Sequence, residues 1–160
     1  MSVTIRLTSS ELAMAAVAGT ARHAESIESG RKDAHGFDPV NSGLALHIEG
    51  ACAEMAVAKW RGIYWGGHVG SFKGADLGAK VQVRVRTRHD YDLIVRDDDA
   101  DDHAFIHVTG TAPVYVLRGW IYARDAKQPE WVQRHGNRPP AYFVPASFLR
   151  SIETRQGAVA

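Results

Sequence analysis

Between residues 76 and 96 apolar and polar side chains alternate, with Val81, Val83 and Val85 on one side and Gln82, Arg84 and Arg86 on the other. Successive side chains of a β-strand point to opposite faces, so the pattern predicts a strand with one apolar and one cationic face. Valine's branched shape suits that conformation. His89-Asp90 reads as a turn and residues 91–96 as a return strand, which makes the stretch a hairpin opened by Asp76. Upstream, residues 2–7 alternate as a short strand would. Thr8-Ser9-Ser10-Glu11 then has the spacing of a capping box, which starts a helix over residues 9–29. Leu12, Ala16, Gly19 and His23 fall at helical spacing, and Gly30 suits the helix C-terminus. Residues 30–43 are rich in turn formers and read as a loop. Residues 44–61 form a second helix with Ile48, Cys52, Met55 and Ala56 as its apolar stripe, and residues 62–74 return to loop.

Past the hairpin, residues 97–102 carry five aspartates and one alanine and predict a solvated turn. Residues 104–108 read as a strand with Phe105 and His107 on one face. A turn at 110–113 leads to a strand over 114–122, and 125–140 is a long polar excursion. A short strand at 142–145 and a closing helix over 146–152 precede a frayed tail. This order predicts a mixed α/β domain of the α+β kind, with a mostly antiparallel, meandering sheet and helices packed on it.

A chain of 160 residues suits one domain able to bury its own core. Apolar residues make up 45% and charged residues 23%, ordinary for a globular protein. The formal charge of +1 means that any nucleic-acid surface must come from local clustering. The eight histidines are dispersed and form no short cluster of zinc-ligand spacing. Cys52, the single cysteine, excludes an internal disulfide, sits among alanines as a small core residue, and fits either a reducing cytoplasm or indifference to redox state. No basic start precedes an apolar run, and no run reaches membrane-spanning length, so a cytoplasmic setting away from membranes is expected.

Glu54 draws attention because it sits in Ala-Glu-Met-Ala-Val-Ala-Lys-Trp. A charge in such a setting needs a partner, a proton or a metal. His47, Glu54 and Arg61 recur every seven residues and line up on one helical face, with Glu49 well around from it. The purely structural alternative for Glu54 is a salt bridge to an arginine of the adjoining strand. In the 125–140 excursion Lys127, Arg134, His135 and Arg138 surround Trp131. A phosphate backbone is attracted to such a loop and a base can stack on the indole. A loop that folds back to bury Trp131 is the alternative. Lys73, Arg84, Arg86 and Arg88 extend the candidate nucleic-acid surface.

Glu54 in a small apolar helix, then Asp76, then a polar-x-basic pair on a strand and a return strand, resembles the PD-(D/E)XK nuclease superfamily. Residues 50–59, Val85-Arg86-Thr87, Leu93-Ile94-Val95-Arg96, Gly119-Trp120-Ile121 and Tyr142-Phe143-Val144-Pro145 resemble small phage- or prophage-encoded members most closely. The likeness covers residues 44–150 as a restriction-endonuclease-like core, with 1–43 supplying an N-terminal strand, helix and loop within one domain. The resemblance implies a Mg²⁺- or Mn²⁺-dependent nuclease acting on DNA. Asp76 would be the metal-binding aspartate, Gln82 would stand at the second acidic position, Arg84 at the lysine, and Glu54 would be the additional helical carboxylate. Glu54, Asp76 and the Gln82 carbonyl would hold the ion, Arg84 would lie beside the phosphate, and His47 or His107 would assist proton transfer. Two residues depart from the pattern. Glutamine holds Mg²⁺ less well than a carboxylate, and arginine cannot serve as a base. The register is open too, since Arg84-Val85-Arg86 also aligns and would leave no acidic group there. The departures keep two alternatives alive: a catalytically degenerate nuclease fold that binds nucleic acid, and a phage accessory protein that binds a host protein. Homodimerisation stays undecided.

Overall fold

The computed structural model describes residues 1–30, 43–68 and 75–153. The expected loop at 31–42, Lys73 and the tail from residue 154 lie outside these residues. The capping box forms as its spacing predicts. The Thr8 N–H donates to Glu11 Oε2 at 2.6 Å and the Glu11 N–H donates to Thr8 Oγ1 at 3.2 Å. These bonds start helix α1, Ser9–Glu28, and satisfy donors that the first turn otherwise leaves unpaired. Helix α2, Gly43–Arg61, is buried continuously from Ala51 to Ala58 instead of along a stripe. It ends at Gly62, whose φ of +65° glycine tolerates well. There the Gly62 N–H reaches Lys59 O and the Ile63 N–H reaches Ala58 O, each at 3.1 Å, in a Schellman arrangement.

Among the described residues seven strands follow in chain order: β1 Val3–Arg6, β2 Val81–Arg86, β3 Leu93–Val95, β4 Ala104–Thr111, β5 Val114–Tyr122, β6 Val132–Gln133 and β7 Ala141–Val144. They form two sheets, a four-stranded one in the order β1-β5-β4-β2 and a three-stranded one in the order β3-β7-β6. The domain is therefore mixed α/β of the α+β kind, and two expectations about the sheet change. First, β2 and β3 are not a hairpin: β2 pairs with β4, while β3 pairs with β7 in the other sheet. Second, the β2–β4 pair is parallel, so the main sheet is mixed instead of an antiparallel meander. The chain between β2 and β4 crosses over and contributes β3 to the second sheet on its way, and a parallel pair requires such a crossover. β4 and β5 form a true antiparallel hairpin with an irregularity between His107 and Val108.

The core divides accordingly. One cluster packs Ala15, Ala18 and the buried run of α2 against Val81, Val83, Ile106, Val108, Tyr115 and Leu117. The other packs Phe105 and Ile121 against Leu93, Val95 and Val144 of the small sheet. β4 is buried along its whole length except Thr111, as a strand covered on both faces must be. The predicted closing helix is only a short 3-10 turn, Ala146–Phe148. Beyond it Arg150 exchanges backbone hydrogen bonds with Trp120 at 2.9 and 3.0 Å, which draws the chain out straight. Gly119 permits that approach, since a Cβ there would lie 2.7 Å from both Arg150 O and Leu149 Cβ. No described helix is long and apolar enough to cross a membrane.

Candidate functional site

The crossing of the two long helices builds the first part of the site. A Cβ on Gly19 would lie 2.6 Å from Ile48 Cα, so α1 and α2 touch backbone to backbone there. One turn beyond Gly19, Arg22 reaches across to Glu54. Its Nη1 donates to Glu54 Oε1 at 2.7 Å and its Nη2 to Oε2 at 2.8 Å, a two-pronged pair. Arg22 Nε donates to the His68 carbonyl at 2.7 Å. The loop after Gly62 folds back and Trp65 Nε1 donates to Glu54 Oε2 at 3.2 Å. Glu54, only 5% exposed, thus has the partner that its burial demands. That partner is an arginine of the neighbouring helix instead of the adjoining strand. Burial works against the Arg22 charge, but the hydrogen bonds and charge of Glu54, with Asp76 beyond, prevail and raise its pKa.

Asp76 lies at the start of the second part. It precedes β2, folds back along the free edge of that strand and accepts the Val83 N–H on Oδ2 at 2.6 Å. Burial is the largest influence on its carboxyl and the charge of Glu54 the next. Together they raise its pKa to about 6, against the opposing pull of the Val83 N–H, Arg84 and Arg22. Glu54 and Asp76 are therefore neighbours in electrostatic terms, one tied to a guanidinium and one holding a proton in mildly acidic solution.

Gln82 and Arg84 face the other way. Val81 and Val83 belong to the cluster against α2, whereas Gln82 and Arg84 pair in register with Phe105 and His107 on the side of the small sheet. Arg84 donates to Asp99 Oδ1 at 3.1 Å and its guanidinium lies 4.8 Å from the Phe105 ring centre. Gln82 makes long contacts of 3.4 Å with Arg84 and with His103 Nδ1. Among the described residues no group of three or more His, Cys, Asp or Glu is arranged to hold a metal ion. Mg²⁺ needs free oxygens in a near-octahedral shell. Here both Glu54 oxygens and one Asp76 oxygen accept N–H groups, and the Gln82 amide is across the sheet. As arranged, these residues do not fit a Mg²⁺ or Mn²⁺ site.

The histidines divide in the same manner. His107 is fully buried on β4, donates from Nε2 to the Tyr91 carbonyl at 3.0 Å, and has no hydrogen bond at Nδ1. Burial lowers its pKa to about 4, helped by Arg86 and Arg118 and opposed by the Tyr91 and Arg84 carbonyls. It is neutral at pH 7 and far from solvent, a poor proton carrier. His47 packs against His23 with ring centres 5.5 Å apart.

The candidate nucleic-acid residues fall into two groups. Lys127 is committed inside the fold, donating to Asp99 O at 2.7 Å and Asp101 Oδ1 at 2.6 Å. Trp131 packs on the second core cluster and meets Phe148 edge to face at 5.2 Å. Arg88 is exposed but grips Asp90 through two bonds of 2.9 and 2.7 Å. Arg86, Arg134 and Arg138 make up the second group. Arg134 and Arg138 are exposed in the segment between β6 and β7. Arg86 is half-buried at the end of β2, lies 4.7 Å from the Tyr91 ring centre and donates to the Asp92 carbonyl at 3.3 Å. Burial is the main cause that lowers its pKa, and the charge of Arg138 adds to it against Tyr91 and Asp92. Among the described residues neither Arg86 nor Arg118 forms an ion pair with a carboxylate. The reading of the sequence missed Arg22, Trp65 and Arg118. Arg22 carried one signal, its position one helical turn beyond Gly19 on a face rich in small residues.

In comparisons with known proteins, the chain matches no family model, no curated protein and no solved structure.

Proposed function

We propose that the protein binds nucleic acid, with DNA as the expected ligand, through the cationic end of β2, and does so without a metal ion. The observation that carries this reading is Arg86. It is a half-buried guanidinium held over Tyr91 and within reach of the charge of Arg138, with Arg118 acting alongside it on His107, and it has no carboxylate in ion-pair contact among the described residues. An arginine held in this way is organised in advance to receive a phosphate. On this reading the protein is a nucleic-acid-binding domain without a cleavage site, in keeping with the nuclease-like resemblance of its sequence.

Fluorescence anisotropy with labelled duplex and single-stranded DNA in EDTA tests the reading. Binding weakens as salt rises, with a log–log slope of about −0.9 per phosphate contact on duplex. Arg86→Ala lowers affinity about tenfold, and Arg138→Ala reduces the slope by about one. Binding that is absent at low salt, or unchanged in folded Arg86→Ala, overturns the proposal.

The competing reading is Mg²⁺-dependent DNA cleavage by Glu54 and Asp76. It draws on the electrostatic closeness of the two carboxyls and requires Arg22 to leave Glu54. Incubation of plasmid and linear DNA with Mg²⁺ or Mn²⁺ separates the two. Cleavage that disappears in Asp76→Ala and Glu54→Ala favours the enzyme. Binding of a host protein through the 97–102 turn has less support, because Asp99, Asp101 and Asp102 are engaged with Arg84, Lys127 and Lys80.

A further inference from the structure

We infer that Arg22 is a built-in counter-cation, occupying the place beside Glu54 that a divalent metal would need, so that the carboxyl pair Glu54–Asp76 takes up no divalent ion while Arg22 is present. This goes beyond nucleic-acid binding and does not depend on it. Every nitrogen of the Arg22 fork is engaged: Nε is held by the His68 carbonyl and the two terminal nitrogens by the two Glu54 oxygens. Trp65 adds a third donor to the same carboxylate. A metal that displaced Arg22 would leave a half-buried guanidinium and the His68 carbonyl without partners and would still have to shed water. Three separate parts of the chain, α1, α2 and the loop after Gly62, supply the contact. Gly19 brings α1 against α2, and the Gly62 turn brings the loop of Trp65 and His68 back over the helix. With Arg22 removed, Glu54 loses its counter-charge while Asp76, a second carboxyl that already feels the Glu54 charge, remains, and carboxylate oxygens suit a hard divalent cation.

Mn²⁺ titration followed by electron paramagnetic resonance is the test, with thermal unfolding of the same samples as a second readout. The wild-type protein is expected to leave the signal of free Mn²⁺ undiminished and to show no metal-dependent rise in Tm. Arg22→Met is expected to bind one Mn²⁺ per chain at least about tenfold more tightly than the wild type. Its Tm should rise with the metal, and Asp76→Asn in that background should abolish both effects. Arg22→Lys, which keeps a cation beside Glu54, should remain silent like the wild type. Stoichiometric uptake by the wild type that Asp76→Asn or Glu54→Gln removes overturns the inference. So does a folded Arg22→Met that gains no Mn²⁺. If Arg22→Met does not fold, the wild-type and Arg22→Lys titrations decide alone, since uptake by either that depends on Asp76 refutes the role assigned to Arg22.

Discussion

Asp76→Asn is the most informative single substitution in this fold. The Asp76 carboxyl is raised from its ordinary value of 3.8 to about 6, by burial first and by Glu54 next. A carboxyl that binds its proton more tightly in the folded than in the unfolded chain stabilises the fold fully at pH below its unfolded pKa. That contribution disappears as pH climbs through the folded value. For Asp76 the window runs from about pH 4 to about pH 6, with a plateau of lower stability above it. The full displacement corresponds to about 3 kcal/mol, and partial solvent access reduces the working figure to about 1–2 kcal/mol. Asparagine keeps a carbonyl that can accept the Val83 N–H and cannot ionise. The variant should therefore match the wild type near pH 4 and exceed it by about 1–2 kcal/mol at pH 8, or about 3–6 °C in Tm for a chain of this length. Urea unfolding of both proteins at pH 4.5, 6 and 8 measures this. Glu11, Asp90 and His107 also titrate with shifted pKa values, but they are common to both proteins and drop out of the difference. A variant less stable than the wild type at pH 8, or a difference that does not grow between pH 4.5 and pH 8, would refute the account of Asp76.

Other substitutions probe the packing that holds the two parts of the site. Gly19→Ala places a Cβ 2.6 Å from Ile48 Cα, a contact with backbone that cannot swing aside. It should cost about 2 kcal/mol in calorimetry, and a Tm unchanged from the wild type would contradict the close helix crossing. Arg22→Met and Glu54→Leu should each cost about 3 kcal/mol, while the double variant should cost less than their sum, as measured by a chemical-denaturation cycle. Trp131→Ala should lower stability by about 2 kcal/mol yet leave DNA affinity of the folded fraction within about twofold. A large loss of affinity there would return Trp131 to the binding surface.

Local signals in the chain were readable, whereas the partners of each element were not. Thr8 and Glu11 announced the start of α1, and the alternation over 81–86 became β2 because both depend only on neighbours in sequence. The pairing of β2 depends on what buries its other side. A short return segment after His89-Asp90 favours a hairpin on proximity alone. What opposes it is the uninterrupted burial of residues 104–110, which makes β4 the central strand that β2 must join. The closing helix failed for a similar reason, since Gly119 leaves space beside Trp120 that the backbone of Arg150 fills. Glu54 was legible as a buried charge in need of a partner. That the partner is Arg22, 32 residues earlier, follows from the helix crossing at Gly19, which no local pattern reveals.

The alternation of β2 both suggests a metal site and takes it apart. Because side chains repeat every second residue, the burial of Val81 and Val83 against α2 obliges Gln82, Arg84 and Arg86 to face the small sheet. Glu54, carried by α2, meets the valine side. A polar-x-basic pair on this strand can meet Glu54 only if the register slips by one residue, and that would expose the valines. Asp76 escapes the constraint because it precedes the strand and reaches around its edge to Val83. The result is two separate centres of charge, a carboxyl pair that carries its own cation and an end of β2 where Arg86 has no ion pair with a carboxylate among the described residues. Substitutions at the two should then act independently: Asp76→Asn should change pH-dependent stability without altering DNA affinity, and Arg86→Ala the reverse. Coupling between them beyond about 0.5 kcal/mol would mean that nucleic acid bound at Arg86 also engages Glu54 and Asp76.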